Sequence, residues 1–386
     1  MKRASLCLLL ALACGTGRKP VNEYRIASDP PSSGEGFASA LYQSVGAELK
    51  PGNSIEVVNN GHVFDAQVNE IGKAQHSIHV VSFIWADGVV SDRLIEAITA
   101  RTHAGVACRV IVDSVGSMNF GAVQKKLDAA GCETHKFRPL PGQDDLARNH
   151  RKILIVDGRV GIAGGFGIDD KWLGNGLKDN PPEWRDSNVL VRGPAVRQMQ
   201  QAFAENWQEA GGQLLSVSDL PVPDSAGSTT AAFVTSTHHG VATRADRLLQ
   251  LLIASARKRI WIANAYFVPS RPIVDLLAKK AKAGVDVRIL TAGDKTDTKE
   301  YLPEQRSRMD ELVAAGARGF EYEPVMMHSK TMLVDDTLSV VGSCNLDALS
   351  LNEQDEGVVL ADDAQLAQAL AQIYLTDLMQ AKERKK

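Results

Sequence analysis

The chain has 386 residues and a formal net charge of −3; it is 44% hydrophobic, 23% charged and only 5% aromatic. That length exceeds one ordinary hydrophobic core and suits two domains, and the composition excludes a disordered or fibrous chain. The slightly negative charge argues against an extended basic face for nucleic acid, and so few aromatics leave little stacking surface for single strands, so no nucleic-acid partner is expected.

The first predicted element is at the N-terminus. Lys2 and Arg3 lead into an apolar run from Ala4 to Ala13, about half the length of a membrane span. Ala11-Leu12-Ala13 fits a small-residue cleavage site, and Cys14 follows at once. The segment resembles a bacterial lipoprotein signal. Residues 1–13 are therefore expected to be removed and Cys14 to carry lipid, leaving the chain exported and membrane-anchored on the periplasmic side of a bacterial envelope. Residues 14–36, with "SDPPSSGEG" at 28–36, are expected to form a flexible tether. Beyond Cys7 and Cys14 the cysteines are Cys108, Cys132 and Cys344. No C-x-x-C or Cys/His ligand spacing appears, so no metal is expected. A Cys108–Cys132 disulfide and a pair of buried thiols both fit an exported chain.

"HSIHVVSFIWADG" (76–88) is an apolar, β-branched run and predicts a buried strand. "SDRLIEAITARTHAG" (91–105) then predicts a helix with Ser91 as its cap and Gly105 at its left-handed end. A strand at 106–113 and a second helix closing on "LDAAG" follow. "NHRKILIVDGRVGIAGG" (149–165) comes next. His150 and Lys152 share one face at the start of a strand, and Ile153 to Val156 are buried on both faces. "SVSDLPVPDSAGSTT" (216–230) is the predicted linker. The series then recurs: a strand in 258–270, a helix from Ser270 to Gly284, a strand at 285–293, a helix closing on "LVAAG", and "MHSKTMLVDDTLSVVGSCNLD" (327–347). Strand–helix–strand–helix–strand, twice over, predicts an α/β fold with largely parallel sheet.

The two motifs match position by position. Lys152, Asp157 and Gly164 follow His150 at +2, +7 and +14, and Lys330, Asp335 and Gly342 follow His328 at the same offsets. Two lysines beside each other repel unless an anion lies between them, and a phosphate fits. One imidazole would attack phosphorus and form a phosphohistidine, while the other would protonate the leaving oxygen and later deprotonate the acceptor. The lysines would neutralise the equatorial oxygens. Asp157 and Asp335 lie past the strand and are expected to pin a turn. Each imidazole needs an acidic partner on its other nitrogen. Asp186, 36 residues after His150, and Glu356, 28 after His328, are the candidates.

These paired motifs resemble the phospholipase D superfamily and, within it, bacterial cardiolipin synthases and related phospholipase D-like proteins. The resemblance covers nearly everything after about residue 50 and rests on "HRKILIVDGRVGIAGG", "EWRDSNVLVRGPAVRQMQQAFAENW" and "MHSKTMLVDDTLSVVGSCNLDALSL". It implies two tandem α/β lobes, residues 37–215 and 231–386, each a mostly parallel sheet flanked by helices, with one shared active site at their interface. It assigns catalysis to His150, Lys152, His328 and Lys330, with His150 as nucleophile and His328 as acid/base. Ser343 and Asn345 match phosphate-holding positions, and Glu356 and Asp186 match the acidic partners. In the first motif Gly165 and Gly167 stand at the Ser and Asn positions, so the Gly165 backbone would face phosphate there. The resemblance further implies no metal or cofactor and a phospholipid substrate; contact with a membrane surface and a monomer are also expected. An alcohol acceptor would give a cardiolipin-type product; water would give phosphatidic acid. A metal-independent nuclease and a non-catalytic lipid- or partner-binding protein are the rival readings.

Overall fold

The computed structural model describes residues 24–26, 28–139, 147–178, 183–237 and 242–385. The predicted signal, Cys14 and the first part of the tether lie outside these residues.

The β-branched runs form strands at the predicted places. In chain order the strands are β1 (Lys50–Asn59), β2 (Ser77–Ser82), β3 (Ala107–Asp113), β4 (Cys132–Phe137), β5 (Ile153–Val156), β6 (Val160–Gly164) and β7 (Ser187–Arg192). The second half continues with β8 (Thr229–Ser236), β9 (Arg259–Asn264), β10 (Asp286–Ala292), β11 (Arg318–Tyr322), β12 (Lys330–Val334), β13 (Leu338–Gly342), β14 (Glu356–Asp362) and β15 (Ala381–Arg384). All fifteen join one sheet in the order β15-β11-β10-β9-β12-β13-β14-β8-β1-β7-β6-β5-β2-β3-β4. Read outward from the β8–β1 junction, both wings repeat one topology. The junction itself is thin, with only Lys50↔Ala231 and Asn53↔Thr229 in register and a shift between them.

The expectation of a mostly parallel sheet is corrected. Only β2-β3-β4 and β9-β10-β11 run parallel, through helical crossovers. From β5 to β7 and from β12 to β14 the pairing is antiparallel. The reason is local. Asp157 and Gly158 both adopt positive φ, 52° and 61°, in the three-residue turn 157–159 between β5 and β6. A connection that short can only reverse the chain.

Helix Val89–Thr102 begins two residues before Ser91. Its cap comes from afar: Asp170 accepts hydrogen bonds from the Val89 and Val90 N–H groups. Ser91 instead lies inside the helix and accepts from the Trp85 indole. The predicted tether enters a helix, Gly34–Val45, whose Phe37, Leu41 and Val45 join the apolar core around helix Arg244–Ser255 in the other half of the chain. Cys108 and Cys132, adjacent in register on β3 and β4, form a disulfide. Near the C-terminus, Ala381–Arg384 form edge strand β15, with Arg318 pairing to Glu383 and Arg384 to Asp310. Among the described residues no helix is long and apolar enough to cross a membrane.

Candidate active site

Both motifs arrive at the centre through short parallel bridges with the opposite half. The His150 N–H donates to the Asp355 carbonyl (2.9 Å), and the Asp355 N–H donates to Arg148 (2.8 Å). The second motif repeats this: His328 N–H to Arg185 (2.7 Å) and Arg185 N–H to Met326 (2.9 Å). Each motif therefore lies beside the segment that opens the other half's acidic strand.

The acidic partners are exchanged as a result. His150 donates from Nδ1 to Glu356 Oε1 at 2.8 Å, and His328 donates from Nδ1 to Asp186 Oδ2 at 2.9 Å. With each Nδ1 proton held by a carboxylate, Nε2 carries the lone pair. Nearest spacing in sequence would have paired each histidine with the acid of its own half. Lys152 donates to the His150 carbonyl (2.6 Å) and lies over the Phe83 ring. Lys330 is placed differently: its ammonium reaches His328 Nε2 at 3.0 Å as well as the His328 carbonyl.

All six groups are buried. Burial drives both imidazoles down to about 4, with the lysines adding to it and the carboxylates opposing it. Burial also lowers Lys152 to about 7 and Lys330 to about 8, against the pull of Glu356 and Asp186. Burial alone would raise Asp186 and Glu356. Their histidine partners, the lysines, and the Trp172 or Ser343 hydrogen bonds outweigh it and keep both carboxylates ionised. The cleft thus sets two carboxylates and two lysines whose charge burial weakens around two neutral imidazoles.

Two assignments from sequence change. Ser343 does not face the cleft: its hydroxyl donates to Glu356 Oε2 and accepts the Gly357 N–H (3.0 Å), so it positions Glu356. The Gly165 N–H is not free for phosphate either, because it donates to Asn188 Oδ1 at 3.1 Å. Glycine is needed there for space, since a Cβ would lie 2.4 Å from Asp186 Oδ1. The role that Ser343 plays beside Glu356 passes to Trp172 in the other half, whose Nε1 donates to Asp186 Oδ2 at 2.8 Å. Trp172 is buried and sits edge-on to His328 with ring centroids 5.1 Å apart. Asn345 does line the cleft, and its buried Oδ1 has no hydrogen-bond partner among the described residues.

Asp157 and Asp335 lie away from the cleft. Asp157 accepts the N–H groups of Gln75, His76 and Ser77, and Asp335 those of Arg257, Lys258 and Arg259. Each ties its hairpin to the start of the neighbouring strand, β2 or β9. Sequence reasoning missed Phe83, Trp184, Tyr266 and Asp297, which complete a cleft of ≈ 250 Å³ along with both histidines. Trp184 stands two residues before Asp186, within a segment already singled out; the others carry no local signal. Among the described residues no group of three His, Cys, Asp or Glu side chains is placed to hold a metal ion.

The sequence matches the family model described as "Cardiolipin synthase, PLD-like domain" over residues 68–207 and 249–378. It is 35% identical over 307 residues to the cardiolipin synthase of Geobacillus thermodenitrificans, covering 77% of this chain and 60% of that protein. It is 32% identical over 340 residues to cardiolipin synthase A of Pseudomonas putida, covering 86% and 69%. The chain thus spans 60–66% of the length of the Geobacillus relatives it matches. Among solved structures, phosphatidylserine synthase of Haemophilus influenzae superposes with a TM-score of 0.68 over 90% of this chain and 92% of its own, at 14% identity. Polyphosphate kinase of Porphyromonas gingivalis gives 0.57 over 95% and 52%, at 10% identity. At such identities these two establish a shared mixed α/β fold.

Proposed function

The chain belongs to the cardiolipin synthase PLD-like family, and we propose that it is a metal-independent phosphatidyltransferase acting on glycerophospholipids through a phosphohistidine. In this reading residues 37–215 and 231–386 are two lobes sharing one active site, built from His150, Lys152, His328, Lys330, Asp186 and Glu356. The observation that carries it is the exchanged pairing, His150 on Glu356 and His328 on Asp186, beside one cleft.

His150 is the nucleophile. Among the described residues no hydrogen bond reaches its Nε2, whereas the His328 Nε2 lone pair is engaged by Lys330. His150 Nε2 attacks phosphorus, and the P–O bond to the head group breaks. The departing oxygen takes its proton through His328, which Lys330 and the incoming phosphate charge keep supplied. The two ammonium groups and the Asn345 side chain hold the non-bridging oxygens. In the second step His328 removes a proton from an alcohol, whose oxygen attacks phosphorus and releases His150. Water in place of the alcohol gives phosphatidic acid. The exported, Cys14-lipidated form working as a monomer at a membrane surface belongs to the same proposal.

The test is direct. Purified chain in EDTA is given labelled phosphatidylglycerol in mixed micelles, and products are resolved by mass spectrometry. A cardiolipin-type product or phosphatidic acid is expected, and rapid acid-free quenching should give a phosphatidyl adduct on the His150 peptide. No lipid turnover by folded protein, with cleavage of DNA under the same conditions, would replace this reading by the nuclease one.

A further inference from the structure

The cleft is not symmetric about its two histidines. Around His150 the one aromatic neighbour among the described residues is Phe83. Around His328 stand Trp172 and Trp184, each with its ring centroid 5.1 Å away, and Tyr266 at 6.5 Å. Tyr301 packs edge-on against Tyr266. In the proposed mechanism His328 handles the oxygen of the departing head group and of the entering alcohol. The aromatic end of the cleft is then the head-group compartment.

Aromatic faces with a carboxylate nearby ordinarily suit an ammonium head group. Here the cation position is already filled. The Lys171 ammonium lies 4.8 Å above the Trp184 ring and 5.8 Å from that of Trp172, anchored 3.5 Å from Asp169 Oδ2. Lys171 also lines the cleft. A choline or ethanolamine group entering here would find the aromatic faces occupied and a like charge beside it. The same cleft also offers hydrogen-bonding groups. The Tyr266 hydroxyl donates to Asp297 Oδ1 at 2.7 Å, and no hydrogen bond uses Asp297 Oδ2 among the described residues. A free carboxylate oxygen next to a phenol can hold two hydroxyls of one polyol.

We infer that Lys171 is a specificity-determining residue: it fills the cation site of the head-group compartment with the protein's own ammonium, so that uncharged polyhydroxyl head groups and acceptors are selected over quaternary or primary amines, with Asp297 and Tyr266 binding the hydroxyls. This rests on the phosphatidyltransferase reading and deepens it.

The experiment offers the full chain equimolar phosphatidylglycerol and phosphatidylcholine in the same detergent micelles, and reads released glycerol against released choline by mass spectrometry. Wild type is expected to favour glycerol release by about tenfold, the scale of one cation–π contact. Lys171→Met should bring that ratio close to unity, and Lys171→Arg should retain it. Asp297→Asn should raise KM for free glycerol as acceptor. Equal glycerol and choline release by wild type, which needs no variant, would overturn the inference. So would a Lys171→Met ratio within twofold of wild type. If neither lipid is consumed, the phosphatidyltransferase reading itself falls, a result distinct from turnover without selectivity.

Discussion

Replacing each acidic partner by its amide should separate the two halves of the site. Asp186→Asn and Glu356→Gln remove the same charge from matching positions, yet their hydrogen-bond surroundings differ. Asp186 Oδ2 accepts from both His328 Nδ1 and Trp172 Nε1, and Oδ1 accepts from the Ser187 N–H at 2.8 Å. Whichever oxygen becomes an NH2 group, it faces an N–H donor in a fully buried place. One donor facing another without an acceptor costs roughly 1–3 kcal/mol. Glu356 is more forgiving. A glutamine keeps Oε1 on His150 and turns its NH2 toward the Ser343 hydroxyl, whose own proton can shift to the Gly357 carbonyl at 3.2 Å. Every group then stays satisfied. The charge loss is common to both variants and cancels in the comparison. Asp186→Asn should therefore be less stable than Glu356→Gln by about 2 kcal/mol in urea unfolding followed by circular dichroism. Turnover should fall in both, by roughly 10²–10⁴-fold, since an amide no longer stabilises the imidazolium. Equal loss of stability in the two variants, or the larger loss in Glu356→Gln, would refute this account of the site.

Three further outcomes are expected. Asn345→Ala removes a buried oxygen that lacks a partner, so stability should hold or rise slightly while KM for phospholipid increases about tenfold; unchanged KM would take Asn345 out of phosphate binding. Gly165→Ala places a methyl group 2.4 Å from Asp186 Oδ1, which should displace the carboxylate and cut kcat at least about tenfold, measured beside a thermal melt that confirms folding. Both imidazoles lie near 4 in the fold against about 6.5 in the unfolded chain; between those values the unfolded state binds more protons, so stability should fall as pH drops from about 6.5 to about 4. Urea midpoints across that window should show the slope, and His150→Gln with His328→Gln should flatten it.

What sequence could and could not show follows from how local each signal is. The His-Lys-Asp spacing is a strand signal followed by a turn signal, so His150 with Lys152, and His328 with Lys330, can be read in sequence with no tertiary knowledge. The antiparallel return after β5 was equally local, written in Asp157-Gly158, but the strand–helix alternation before it pointed to a parallel sheet and prevailed. Ser91 had the chemistry of a cap, yet Asp170 from a distant segment took the post. Gly165 and Ser343 sit at equivalent motif positions, but whether either meets phosphate depends on Asn188 and Glu356, strands away. The exchange of carboxylates is the least local feature. It exists only because 149 bridges 355 and 185 bridges 327.

That exchange also shapes what duplication can do here. In one half alone, each histidine would lack its carboxylate, each carboxylate would be a buried charge without its imidazole, and neither motif would have the strand segment that accepts its backbone N–H. The cost of such unpaired burial is several kcal/mol per ion, more than the thin β8–β1 junction could offset through its two registered pairs. The wings are joined by an apolar core that includes Val58 and Val189 of the first half with Phe233, Trp261 and Tyr374 of the second, and also at the site: through His150 with Glu356, His328 with Asp186, and the buried Arg151, which donates to the Glu356 and Ser236 carbonyls and to the Asn206 side chain. Assembly of the proposed catalytic groups and part of the cohesion of the two halves draw on the same hydrogen bonds. Lys171 and Asp297, on the cleft walls, lie outside those bonds. Under the proposed function, head-group preference can then diverge within this fold while the phosphate-handling centre stays fixed.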